Sequence, residues 1–135
     1  MLPRAMADGL YHHRALAHYE SGCYEKAIED WLQVLKLEQG DPFTHGSLGD
    51  AYEKLGAFEQ ACAMYSQAID TISSLEKSGW HIKDARPANF LVPLYTKRAQ
   101  DLKHLGREAA SEEDQRKANS LESSIGGWVT DPTNT

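Results

Sequence analysis

Two cysteines in 135 residues, Cys23 and Cys62, share no Cys-x-x-Cys spacing, so neither a disulfide framework nor a four-sulfur metal site is on offer. Both are expected to be reduced structural thiols. No apolar run approaches the roughly 18 residues needed to cross a bilayer. The opening MLPRAMADG has no apolar stretch of signal-peptide length, so a soluble, cytoplasmic protein without membrane insertion is expected. Excess positive charge is missing as well. Fourteen Lys and Arg face twenty Asp and Glu, a formal net charge of −6. Duplex binding needs a clustered positive surface, which argues against nucleic acid as the main partner.

Catalytic signatures are equally scarce. The ten glycines make no phosphate-cradling loop, and there is no nucleophile elbow and no His-Glu-x-x-His zinc pair. The six histidines are scattered. His12 and His13 are adjacent, so on a helix they diverge by about 100° and cannot chelate one ion together. No cofactor, no metal and no enzymatic activity are expected.

What remains is an ordinary folded composition, 41% hydrophobic and 25% charged, long enough for one domain. It carries a period. Shifted by 34 residues, Gly22 falls on Gly56, Tyr24 on Phe58, Ala27 on Ala61, Trp31 on Tyr65 and Val34 on Ala68. A fixed period of 20 to 50 residues marks stacked supersecondary units. Each unit reads as two helices. In the second, Leu48, Gly49, Ala51, Tyr52 and Leu55 recur at helical spacing behind an Asp41-Pro42 start, and Gly56 stops the helix. Its partner carries Ala61, Met64, Tyr65, Ala68, Ile69, Ile72 and Leu75 as one stripe. Small residues at Ala15, Gly49, Ala27 and Ala61 let helices approach, while Trp31 and Tyr65 fill the space beside them. Bulk at Gly49 or Ala61 should not be tolerated.

This spacing resembles the tetratricopeptide repeat, with its Trp-x2-Leu-Gly-x2-Tyr and Ala-x3-Phe signature. The second unit matches it through His45, Leu48, Gly49, Tyr52, Ala61 and Tyr65, and the first through Tyr11, Arg14, Ala15, His18, Ala27 and Trp31. A third, more polar unit is carried by Tyr95, Arg98, Ala99, Leu102, Gly106 and Ala118, with Ser111 at the alanine position and Gln115 at the aromatic one. The resemblance implies an all-α helix–turn–helix solenoid of about six helices. Its expected layout is a flexible 1–7, repeats at 8–41, 42–75 and 92–125 within a domain at 8–125, an insertion at 76–91, and a flexible tail at 126–135. Pro93 is expected in the first turn of the helix after the insertion.

In that family the first helices of successive repeats line a concave groove. Transferred by position, the groove here would hold His12, His13, Leu16, Tyr19, Phe43, Ser47, Asp50, Glu53, Lys97 and Gln100, acidic at its centre and basic at its C-terminal end. Tyr19, Asp50 and Lys97 are expected to serve binding and not the fold. One subgroup of the family grips a C-terminal carboxylate with a lysine and asparagine clamp. The equivalent positions are His12, Leu16, Ser47, Pro93 and Lys97, of which Lys97 alone is cationic at neutral pH, so that clamp is not expected. The insertion adds Trp80 and Phe90, aromatic residues that would contribute to partner choice. The implied function is a non-enzymatic module that holds a protein or peptide segment as an adaptor. A structural subunit that self-associates and a small chaperone shielding a client segment are the two alternatives.

Overall fold

Helix capping sets the architecture. The computed structural model describes residues 4–37, 42–79 and 86–129. Among these, six helices occur and no strand: α1 (Arg4–Glu20), α2 (Tyr24–Leu37), α3 (Pro42–Lys54), α4 (Phe58–Lys77), α5 (Pro87–His104) and α6 (Glu108–Val129). Three helix–turn–helix joints share one device. Gly22, Gly56 and Gly106 adopt φ of 83°, 75° and 77°, a left-handed backbone that a side chain would strain. The amide after each glycine donates back five residues, Cys23 to His18 at 2.8 Å, Ala57 to Tyr52 at 2.9 Å and Arg107 to Leu102 at 2.9 Å. This closes the helix end and turns the chain directly into the next helix.

The contacts divide the chain into two compact units, residues 1–68 and 69–135. In the first, α1 packs on α2 and α2 on α3. Ala15, Ala27, Ile28, Trp31, Val34, Leu48 and Ala51 form the core, with Tyr11, Tyr19, Leu35, Tyr52 and Met64 packed against it. Ala61 and Tyr65 of α4 are fully enclosed. Cys62 is buried and Cys23 exposed, and the two form no disulfide. In the second unit α5 packs on α6, over buried Leu91, Leu94, Ala99, Leu102 and Ala118. Ser111 stands where the first two units have Ala27 and Ala61. It remains small, and its hydroxyl donates to the Ala99 carbonyl at 2.7 Å. The helices therefore still approach closely, and the buried hydroxyl is satisfied.

Charged pairs mark the repeat register as clearly as the small residues do. Arg14 forks onto Asp30, Nε to Oδ2 at 2.8 Å and Nη2 to Oδ1 at 2.7 Å. Eighty-four residues on, Arg98 does the same to Asp114, at 2.7 and 2.8 Å. Each guanidinium also lies 5.5 Å from a tyrosine ring, Tyr11 and Tyr95. The middle repeat has Leu48 and Met64 at the paired positions. Leu48 has no accessible surface, and an apolar pair avoids desolvating charge there.

Three boundaries differ from the sequence expectation. α1 begins at Arg4, inside the segment 1–7 expected to be flexible. α6 continues to Val129, past the expected end of the repeat at 125. α5 begins at Pro87, with Arg86 as an extended cap residue, so Pro93 lies inside the helix and not in its first turn. A proline with preset φ opens a helix well, and Pro87 takes that place. Residues 87–91, including Phe90, are consequently helical and not part of a connecting insertion. Asp41 lies outside the described residues.

Two outcomes follow from this packing. A Cβ added to Gly49 would stand 2.5 to 2.8 Å from the Tyr65 ring, which is fully enclosed and cannot swing away. Gly49→Ala should therefore destabilise by about 1–3 kcal/mol in chemical denaturation despite the better helix propensity of alanine. The hydrogen bonds from Arg14, followed by the Arg14 and His18 charges, hold the Asp30 carboxyl below its usual value of 3.8 against the opposing effect of burial. A depressed carboxyl contributes stability that is complete above its unfolded value and is lost as pH falls through the folded one. The denaturant midpoint should thus drop as pH is taken below about 4, and Asp30→Asn, less stable at neutral pH, should show a shallower acid-side drop.

Candidate functional site

The face nominated by the sequence is built, in the first unit, by α1 and α3. Both helices use one stripe for the core, Ala15 on α1 and Leu48 and Ala51 on α3, which leaves a second stripe outside it. That stripe carries His12, Leu16 and Tyr19 on α1 and Phe43, Ser47, Asp50 and Glu53 on α3. Leu16 and Phe43 are exposed, whereas His12, Tyr19, Ser47, Asp50 and Glu53 are half-buried.

Tyr19 packs from α1 onto α2. Its ring meets Tyr24 edge-on at 5.3 Å and tilts against Trp31 at 6.0 Å. Burial first, then the negative charge of Asp50, and further Tyr24 and Glu53, raise the pKa of its phenol. Tyr19 therefore stays neutral and keeps its O–H as a donor beside two carboxylates. An aromatic donor on α1 thus lies within electrostatic range of two acids on α3.

Two nominated residues have structural work as well. His12 Nδ1 accepts the Trp31 indole N–H at 3.1 Å, which requires that nitrogen to be unprotonated. Asp50 Oδ1 accepts the Tyr65 hydroxyl at 2.6 Å. The large aromatic of each of the first two repeats thus sends its polar end toward the α1/α3 face. This corrects the expectation that Asp50 serves binding without supporting the fold, because Tyr65 is fully enclosed and its hydroxyl needs an acceptor. His13, exposed, lies 6.2 Å from the His12 ring but points to the other side of α1, where it lines a cavity with Ala7, Leu10, Tyr11 and Arg14.

In the second unit, Lys97 is half-buried on α5 and Gln100 is exposed. Gln100 lines a depression of about 310 Å³ with Ala99, Lys103, Glu108, Ser111, Glu112 and Gln115. Phe90 is half-buried in the first turn of α5. Trp80 lies outside the described residues. Among the described residues no three His, Cys, Asp or Glu come together to hold a metal ion, and no helix is long and apolar enough to cross a membrane.

The sequence reading missed both arginine–aspartate forks. It placed Arg14 and Arg98 correctly, but not their partners. The available signal was the recurrence of an Asp sixteen residues after each Arg, at the same 84-residue offset.

Comparison with known families agrees with this geometry. A TPR repeat model matches residues 15–56, and a tetratricopeptide repeat model matches residues 44–73. The chain belongs to the tetratricopeptide repeat family. Solved structures extend the likeness to most of its length. MamA superposes with a TM-score of 0.73 at 15% identity, over 90% of this chain and 61% of that one. This chain thus spans under two thirds of the MamA structure. The Arabidopsis OM64 TPR domain gives 0.70 at 20% identity, over 89% of this chain and 86% of that one. The second TPR domain of human RPAP3, determined in complex with an HSP70 peptide, gives 0.70 at 19% identity, over 89% and 87%. At such identities these repeat structures share a fold with this chain, an all-α array of helix–turn–helix pairs. No curated protein sequence matches it.

Proposed function

We propose that this tetratricopeptide repeat protein is a non-enzymatic interaction module that holds a segment of a partner protein on the α1/α3 face. The observation that supports it is the electrostatic reach of the Asp50 and Glu53 charges to the Tyr19 phenol, on helices that also expose Leu16 and Phe43. An aromatic donor and two acids set among apolar side chains suit a peptide with apolar anchors and a cationic side chain. The peptide-bound RPAP3 domain supports this type of use, since its helices share the fold. The acidic peptide in that complex, SGPTIEEVD, is the wrong charge for Asp50 and Glu53. Leu16 and Ser47, at two of the clamp positions, also offer no cation to a carboxylate. In the second unit, the cation of Lys97 and the neutral amide of Gln100 on α5 are proposed as binding residues in their own right, with Phe90 and Trp80 as contributors to partner choice.

A photo-crosslinking residue at Ser47 should capture a partner from the native cell, whereas one at Glu29, on the opposite side of the first pair, should not. Tyr19→Ala and Glu53→Ala should then weaken the captured partner by about tenfold each, and Glu53→Ala should shift stability by under about 0.5 kcal/mol. Glu53 is the better probe than Asp50 because Asp50 also holds Tyr65. Crosslinks from Glu29 alone, or unchanged affinity in both variants, would move the binding surface off this face.

A further inference from the structure

The internal repeat supplies its own control for what a covered helix edge looks like. Leu10 on α1 corresponds to Thr44 on α3, 34 residues on, and to Leu94 on α5, 84 residues on. Thr44 is 1% exposed and Leu94 is 9% exposed, but Leu10 is 58% exposed. The next turn repeats the contrast. Arg14 corresponds to Leu48, which has no accessible surface, and to Arg98, whose side chain is 19% exposed against 61% for Arg14 in the same bidentate geometry. One turn earlier Met6 is 58% exposed, while its counterpart Phe90 is half-buried. The same register position is thus enclosed in both later repeats and open in the first.

The reason is visible on α3. There α2 lies against the helix and belongs to the core that encloses Leu48. In the second unit the end of α4 precedes α5 in the chain, and its Ile69 and Ile72 are buried. Nothing among the described residues takes that place ahead of α1. A cavity of about 580 Å³ remains there, lined by Ala7, Leu10, Tyr11, His13 and Arg14. Among the described residues this lining is apolar with a cationic margin.

We propose that this edge of α1 docks an amphipathic α-helix of a partner protein, seated on Met6, Leu10, Tyr11 and Arg14 as α2 is seated on α3. The occupant presents apolar side chains at i, i+3 and i+7, the spacing of Ile28, Trp31 and Leu35 on α2, with a carboxylate at its flank for Arg14. Arg14 commits Nε and Nη2 to Asp30 and retains further N–H donors. A second copy stacked end to end fits poorly, because among its described residues α6 exposes the polar Glu112, Glu113, Gln115, Arg116 and Asn119. This edge is distinct from the α1/α3 face.

The test uses the full 135-residue chain with labelled methionine and leucine methyl groups. The probe is a hydrocarbon-stapled peptide of residues 24–37, stapled because a free helix of that length is marginal. Its addition should move the Met6 and Leu10 methyl signals saturably, and Leu10→Glu or Met6→Glu should weaken the effect by about tenfold or more. Tyr19→Ala should leave it unchanged, which separates this edge from the α1/α3 face. Both glutamate variants lie at exposed positions, and unchanged far-ultraviolet circular dichroism would confirm that they fold. Still signals at about 1 mM peptide, or equal shifts from a peptide with Ile28, Trp31 and Leu35 replaced by serine, would overturn the proposal. So would concentration-dependent sedimentation of the chain alone that Leu10→Glu abolishes, since the occupant would then be a second copy.

Discussion

Each helix pair in this chain depends on a contact made where side chains are nearly absent. Ala15, Gly49 and Ala99 on the first helices, with Ala27, Ala61 and Ser111 on the second, allow the backbones to approach. Trp31 and Tyr65 then occupy the space alongside. Dense packing leaves no slack for a methyl group at such a contact, because the ring it would meet is itself enclosed. The glycine turns follow from the same constraint. A pair of helices held this close needs an abrupt connection, and the left-handed glycines at 22, 56 and 106 provide it.

Large aromatics beside small residues create a second requirement. An indole N–H and a phenol O–H carried into the core need acceptors, and both find them on the α1/α3 side, at His12 and Asp50. Polar groups on that face are therefore held in place by the core, which positions them ahead of any partner. Tyr19 extends the arrangement, with one side of its ring on Trp31 and its hydroxyl near the acids of α3. The proposed binding surface and the core share residues here. Substitutions at His12 or Asp50 will consequently mix stability with recognition, whereas Glu53 and Leu16 report recognition more cleanly.

Much of this was legible in the sequence because the period specifies chemistry as well as spacing. Gly49 and Gly56 serve different ends, a close approach and a left-handed turn, yet both follow from helical register. The stripe bearing Tyr19, Asp50 and Glu53 was legible for the same reason. The arginine–aspartate forks were not, since a pair sixteen residues apart meets only through the turn geometry that joins the two helices. The start of α5 was obscured by two prolines, both compatible with a first turn, and only the folded chain distinguishes Pro87 from Pro93. The open edge of α1 was hidden for a different reason. Leu10 and Leu94 look alike as letters, and their difference is one of neighbours.

The central claim is that Gly49 and Tyr65 are one packing unit and not two independent good choices. A double-mutant cycle joining Gly49→Ala with Tyr65→Leu tests it most directly, because the smaller side chain removes the ring carbons that the new Cβ would strike. The account predicts that Gly49→Ala costs markedly less stability in the Tyr65→Leu background than in the parent chain, with a coupling of about 1 kcal/mol or more. Additive losses, with Gly49→Ala equally costly in both backgrounds, would contradict it.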